Sequence, residues 1–283
     1  MIKVGFDSEI FSLQTTGGVS RYFASLIEEY YEDKSHGVLP QLTFKKSNNI
    51  YLAGIPRNGG NAISRMRFPY LPPTSPLRTL LTLGPIHQLL LTMAAEPKLK
   101  SNAKDIFHAT YYRPTYLEKR NSRKLAVTVH DFIPEKLGWL GVKNPHIGKR
   151  KMTQRADLIF CVSRETAEDL KHFYGIDDDR VKVVGHGARF FNTVESKQAS
   201  QNDIPTILYV GHRAGYKNFF VLMRALAELR KKSEFQFVTV GPEWSIEELS
   251  QWEDVGKQIT RRDRKSTRLN SSHEWISRMP SSA

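Results

Sequence analysis

A doubly wound α/β fold is expected from this sequence, because one order recurs along it: a short apolar run, a polar loop carrying glycine, then an amphipathic helix. Residues 206–241, TILYVGHRAGYKNFFVLMRALAELRKKSEFQFVTVG, contain the whole unit: strand, loop, helix and a second strand. Residues 2–30 begin the same way, and the runs DIFH at 105–108, LAVTV at 125–129 and ADLIFCV at 156–162 supply three more short apolar strands. A length of 283 residues suits two such domains better than one.

Taken in order, residues 2–6 form the first strand, and 7–16 read as a polar loop closing on Gly17-Gly18. The helix that follows carries its apolar stripe on Val19, Tyr22, Phe23, Leu26, Ile27 and Tyr30. The paired glycines fit either a close backbone approach to a ligand or an ordinary turn into a helix. Residues 40–50 read as a strand with a basic turn, and 55–76 as an irregular, proline-rich stretch with Arg57, Arg65 and Arg67. Residues 77–95 suggest a helix split at Gly84-Pro85, either packed in the core or resting on a membrane surface.

The strand at 125–129 delivers His130-Asp131 at its carboxyl end. Ser163 is placed to cap a helix over 164–174 that Gly175 ends. Residues 181–184 form the next strand, leading to Gly185-His186-Gly187, and the polar stretch 195–205 reads as a linker. After it, 206–210 is expected as a buried strand, and a helix with Phe219, Phe220, Met223 and Leu226 leads to a strand over 235–240. The last stretch, 261–283, is rich in Ser and Arg without apolar periodicity. It resembles translated sequencing adaptor and is expected as a non-native, disordered tail.

The chain is basic, with 42 Lys and Arg against 29 Asp and Glu. Anionic partners follow from that balance, as does a merely basic surface. The single cysteine, Cys161, excludes an internal disulfide and lies in an apolar run that favours burial. The N-terminus reads as a strand and not a signal peptide, and no apolar run is long enough to span a bilayer, so a cytoplasmic location is expected. The aromatic residues sit on core faces and not among surface Lys and Arg, so nucleic acid is not an expected partner.

Two places have the makings of a site. The 211–217 loop precedes a helix whose free N–H groups and positive dipole attract phosphate, and it carries Gly211, Arg213 and Lys217 with Asn218 at the helix start. His130 lies at a strand's carboxyl end, where open α/β sheets place ligands. Beside Asp131 it is also readable as a satisfied cleft residue. His108 and His186 are weaker candidates, expected to be structural.

Four segments in order, Gly17-Gly18-Val19-Ser20-Arg21-Tyr22, Val129-His130-Asp131-Phe132-Ile133-Pro134, residues 156–170 and residues 208–219, are similar to the retaining, nucleotide-sugar-dependent glycosyltransferases of the GT-B fold, group 1, family four. The mannosyltransferase-like branch that builds surface polysaccharides is the nearest in flavour. The resemblance covers about residues 1–250 and implies an acceptor-side Rossmann-like domain over 1–197 and an incomplete donor-binding domain over 205–260. It implies transfer of a sugar from a nucleoside diphosphate to a polysaccharide or lipid-linked acceptor with retention, without a metal ion.

On that resemblance His130 lies against the donor sugar and takes part in catalysis, while Gly17, Gly18, Gly211, Arg213, Lys217 and Asn218 line the donor's diphosphate. Lys217 matches the family's lysine; the arginine that often precedes it is replaced here by Tyr216, which leaves Arg213 as the loop's arginine. The family's Glu-X7-Glu pair, one carboxylate of which holds the ribose, does not occur after Gly241, so the chain is expected to be truncated and inactive as it stands. A peripheral contact with an anionic membrane is a further expectation. The alternative to an enzyme is a basic protein that binds nucleic acid or a membrane surface without catalysis.

Overall fold

A computed structural model describes residues 1–44, 46–55, 63, 104–115, 117, 122–138, 146–187, 204–213, 215–241, 244–246, 248–250 and 260–265. The expectations for 55–76 beyond Ile55 and Ile63, for 77–95 and for the linker up to residue 203 lie outside the described residues. The chain divides into two compact units, Met1–Ala188 and Arg189–Ala283.

In the first unit six strands form one parallel sheet: β1 (Ile2–Phe6), β2 (Val38–Leu42), β3 (Lys104–Ala109), β4 (Ser122–Val129), β5 (Leu158–Cys161) and β6 (Val181–Val183), in the order β2-β1-β3-β4-β5-β6. Every pairing is parallel, as a Rossmann-like sheet requires. The chain crosses from β1 outward to β2 and then back past β1 to β3, so the topological switch point lies between β1 and β3. Pro40 sits inside β2, registered against Val4. It is tolerated because β2 is an edge strand, where no further neighbour needs its missing N–H.

Among the described residues the helices of this unit are α1 (Glu9–Leu13), α2 (Gly18–Glu32), α3 (Ile133–Lys136), α4 (Lys149–Arg155) and α5 (Arg164–Tyr174). α1 occupies part of what the sequence presents as a loop; it is only five residues long, too short to show periodicity. α2 buries Ser20, Phe23, Ala24 and Ile27, the spacing of one helical face, and ends where Asp33 leaves helical backbone and caps the next turn through Ser35 N–H. α5 is bounded as its sequence dictates: Ser163 Oγ accepts the Thr166 N–H at 3.1 Å, and Gly175 takes the left-handed φ of 71° that ends it.

The second unit holds β7 (Thr206–Val210), α6 (Phe219–Arg230), β8 (Gln236–Gly241) and β9 (Thr260–Lys265) in a parallel sheet ordered β7-β8-β9. α6 presses Phe219, Met223 and Leu226 onto Phe235 and Phe237. β7 is not the fully buried strand its composition suggests: Leu208 and Val210 remain 48% and 64% exposed, because α6 covers only the face bearing Ile207 and Tyr209. The sheet also gains a strand that the sequence hides. Thr260–Lys265 has no apolar stripe in its sequence, yet it pairs in parallel register with β8. Parallel pairing is made by backbone groups and needs no apolar side chain. Residues 266–283 lie outside the described residues.

Replacing Ser163 with Ala removes the α5 cap. A loss of about 1 kcal/mol is expected, read as a lower urea midpoint at unchanged slope; an unchanged midpoint would contradict the cap's contribution.

Candidate active site

The carboxyl ends of β1 and β3 flank the switch point, and Asp7 joins them. Its buried carboxylate accepts Thr110 N–H at 2.8 Å and Thr110 Oγ1–H at 2.6 Å, and also the Glu9 N–H at 2.7 Å. Thr110 Oγ1 in turn accepts the Ile10 N–H at 3.2 Å. Glu9 adds a second tie, accepting the Arg113 N–H at 3.0 Å. Sequence reasoning passes over Asp7 and Glu9; the only signal is an acid directly after a strand.

The glycine pair has two separate jobs. Gly17 has an extended backbone that any residue adopts, but a Cβ there would run into the Gln14 carboxamide. That carboxamide accepts the Ser20 N–H at 3.0 Å and so caps α2 from six residues upstream. The Gln14 carbonyl is itself held by Asn49 Nδ2 at 2.6 Å. A side chain at position 17 would displace the cap. Around Gly18 nothing lies within 4 Å of where a Cβ would stand, so open ground remains over the start of α2.

His130 follows β4 at its carboxyl end. Its N–H reaches Tyr112 Oη at 3.4 Å. Its ring meets Tyr22 edge-on at 5.2 Å and Phe23 at 6.1 Å, and stacks on His186 at 6.0 Å. Tyr22 belongs to α2, so the glycine-pair helix and His130 come together in this unit. His130 Nε2 is buried and has no hydrogen-bond partner among the described residues. Burial above all, then the neighbouring His186, His108 and His146, pulls the imidazole down to about 3, which keeps it neutral. A neutral imidazole with a buried, unpartnered nitrogen has hydrogen-bonding capacity that a ligand hydroxyl would satisfy.

The other two histidines divide. His108 is fully enclosed by Phe6, Phe23 and Phe160 and shares a 2.8 Å hydrogen bond with Thr128 Oγ1, the structural part expected of it. Burial lowers it to about 4. His186 stands next to His130: its exposed ring stacks on His130 at 6.0 Å and meets Tyr22 edge-on at 5.4 Å. Gly-His-Gly in sequence gives no hint of that contact.

In the second unit Gly211 holds φ 134°, and its N–H donates to the Val240 carbonyl at 2.8 Å. A Cβ on the facing Gly241 would strike the Gly211 carbonyl. Arg213 is paired inside the unit. Its side chain is 2% exposed, Nε and Nη2 each donate to Glu248 carboxylate oxygens at 3.2 Å, and the guanidinium lies 4.5 Å over Trp244. A carboxylate and an indole face thus engage its planar fork from the edge and the flat side.

Lys217 differs. It closes the turn Gly215–Lys217, is exposed, and rests its ammonium 5.0 Å over the Tyr216 ring. Asn218, at φ 52°, enters α6 in left-handed backbone and its side chain makes no cap bond. Asn is among the residues that tolerate this conformation. Lys217 therefore sits beside the positive end of the helix dipole, an unfavourable place for a cation that a bound anion would relieve.

The neutral histidines give a pH signature. The folded chain holds His108 and His130 at about 4 and about 3, against the ordinary 6.5 of an unfolded chain. Unfolding therefore takes up protons, so this stability is complete above pH 6.5 and is lost as pH falls toward these folded values. Each histidine adds a slope of at most about 1.4 kcal/mol per pH unit. Urea midpoints of the first unit are expected to fall from pH 7 to pH 5; equal midpoints would contradict neutral burial.

Residues 16–189 match the family described as Glycosyltransferase Family 4. The structure is similar to the crystal structure of a glycosyltransferase from Rickettsia africae ESF-5, with 18% identity, a TM-score of 0.51, and coverage of 94% of this chain and 69% of that one. Fainter likenesses are to the S. aureus MnaA-UDP co-structure, at 11% identity, TM-score 0.48 and coverage of 93% and 69%, and to UDP-GlcNAc 2-epimerase from Neisseria meningitidis bound to UDP-GlcNAc, at 13%, 0.48 and coverage of 93% and 72%. No curated protein matches the chain. With its Rossmann-like parallel sheet of GT-B type and a family match over more than half its length, the chain belongs to Glycosyltransferase Family 4.

Proposed function

We propose that this protein moves a sugar, mannose-like in type, from a nucleoside diphosphate to a polysaccharide or lipid-linked acceptor with retention of anomeric configuration. The observation that carries the reading is His130: a neutral, half-buried imidazole at the carboxyl edge of the sheet, with Nε2 unpartnered among the described residues. Open α/β sheets bind ligands at this edge, and a polar atom without a partner there is one that a ligand would satisfy.

In this reading the bond between the sugar's anomeric carbon and the diphosphate oxygen breaks, and the leaving diphosphate gains charge. The acceptor hydroxyl attacks the same face and passes its proton to the departing diphosphate oxygen. Lys217 and the N–H groups at the start of α6 meet the charge on the diphosphate, so the step needs no metal ion. His130, kept neutral, offers Nε2 to a hydroxyl of the transferred sugar as the positive charge on its ring builds. The open ground at Gly18 leaves room for donor atoms near the start of α2.

The test is transfer from uridine and guanosine diphosphate sugars, with the product's anomeric configuration read by NMR. Residues 1–283 are expected to show no turnover, since no Glu-X7-Glu pair follows Gly241 to hold the ribose, so the variants are measured in a chimera that adds a segment carrying that pair from a family member. Lys217→Ala is expected to lose about 1.5–3 kcal/mol of phosphate contact, roughly one to two decades in kcat/KM. His130→Ala is expected to lower kcat by about 100-fold while donor affinity changes little. Unchanged kinetics in Lys217→Ala would overturn the donor site, and a purely KM effect in His130→Ala would overturn its role in catalysis.

A further inference from the structure

Lys149 opens α4 and is fully buried. Its ammonium has three protons, and three acceptors take them: the Asp131 carbonyl at 2.7 Å, Glu135 Oε2 at 2.9 Å and His146 Nδ1 at 2.9 Å. The same nitrogen stands 4.1 Å over the Phe132 ring. Since lysine only donates, His146 must accept at Nδ1 and stays neutral. Glu135 uses its other oxygen to accept from Tyr174 Oη, so both members of the ion pair are held.

Burying a lysine at such a place costs several kcal/mol that a leucine or methionine would avoid, so the charge is weak evidence for stability alone. What it does hold is a particular turn. His130, Asp131 and Phe132 link β4 to α3, and Lys149 grips that turn at the Asp131 carbonyl and at the Phe132 ring face. Other ties meet the same turn from within or from one side: the His130 N–H reaches Tyr112 Oη at 3.4 Å, Asp131 Oδ1 accepts the Ile133 N–H, the Phe132 carbonyl accepts the Lys136 N–H at 2.8 Å, and the Phe132 ring stacks on Phe173.

We propose that Lys149 is a positioning residue: by fixing the Asp131–Phe132 peptide it sets the direction in which the His130 imidazole leaves the sheet, against Tyr22 with Nε2 open. The proposal rests on His130 being the group that meets the sugar, but its structural half stands by itself. Lys149 touches no reacting atom and acts only through the turn.

The experiment uses the full chain with labelled histidine and aromatic rings. In Lys149→Met the His130 Cε1–Hε1 signal is expected to move and the Tyr22–His130 ring NOE to fade, while the Phe6–Phe23 NOE persists as proof of an intact core. Lys149→Arg, which keeps a donor, is expected to restore part of the wild-type signal. In the chimera carrying a Glu-X7-Glu segment, Lys149→Met is expected to lower kcat by about tenfold or more with donor KM little changed. An unmoved His130 signal in a folded Lys149→Met protein would overturn the proposal. A second measurement does not depend on the variant folding. In the wild-type chain the Lys149 ammonium protons are expected to be protected from exchange and to show NOEs to the Phe132 ring; a solvent-averaged lysine signal would overturn it. Normal transfer by His130→Ala would remove the functional reading and leave these spectra untouched.

Discussion

The carboxylate of Asp7 joins two strand ends that lie 103 positions apart in the chain. The ends of β1 and β3 are adjacent in the sheet, but the loops leaving them depart in different directions, as they must at a switch point. Closing so long a stretch costs loop entropy that local contacts do not return. A buried acceptor taking donors from both loops fixes their departure. Gln14 then caps α2, and α2 brings Tyr22 and Phe23 to His130. The geometry of the histidine thus traces back through one helix to one carboxylate.

Around that frame the molecule sorts its charged groups by shape. The planar guanidinium of Arg213 is taken inside by a carboxylate and an indole face, which suit it from its edge and from its flat side. The ammonium of Lys149 is taken inside by three acceptors matched to its three protons. Lys217 is left on the surface beside a helix start, where it raises the local positive potential. Two of these cations are engaged by the protein itself, and the third is exposed beside a helix start.

Much of the architecture was legible because the strands are short apolar runs and the punctuation is local. Ser163 and Gly175 bound α5 by chemistry confined to neighbouring residues, and the order of strand, loop and helix fixes a parallel sheet. What stayed hidden was non-local. Gly17 is needed for a side chain three residues back, Arg213 finds its partner 35 positions on, and His186 meets His130 only once the sheet has formed. Asp7 was missed because its donors come from a strand about a hundred residues away. β9 was missed because an edge strand held by backbone bonds leaves no pattern in its side chains. His130 was legible as a residue at a strand's carboxyl end; its neutrality and its open Nε2 were not, since both arise from packing.

The central claim is that the half-buried imidazole of His130 addresses the sugar of the donor. The most direct measurement is the His130 Cε1–Hε1 signal in titrations with a nucleoside diphosphate and with the same nucleoside diphosphate carrying its sugar. Amide shifts around Lys217 and Asn218 report in both cases that the diphosphate is bound. The sugar-bearing ligand is expected to move the His130 signal, and the bare diphosphate is expected to leave it in place. A His130 signal that ignores the sugar while the Lys217 amides respond would contradict the account.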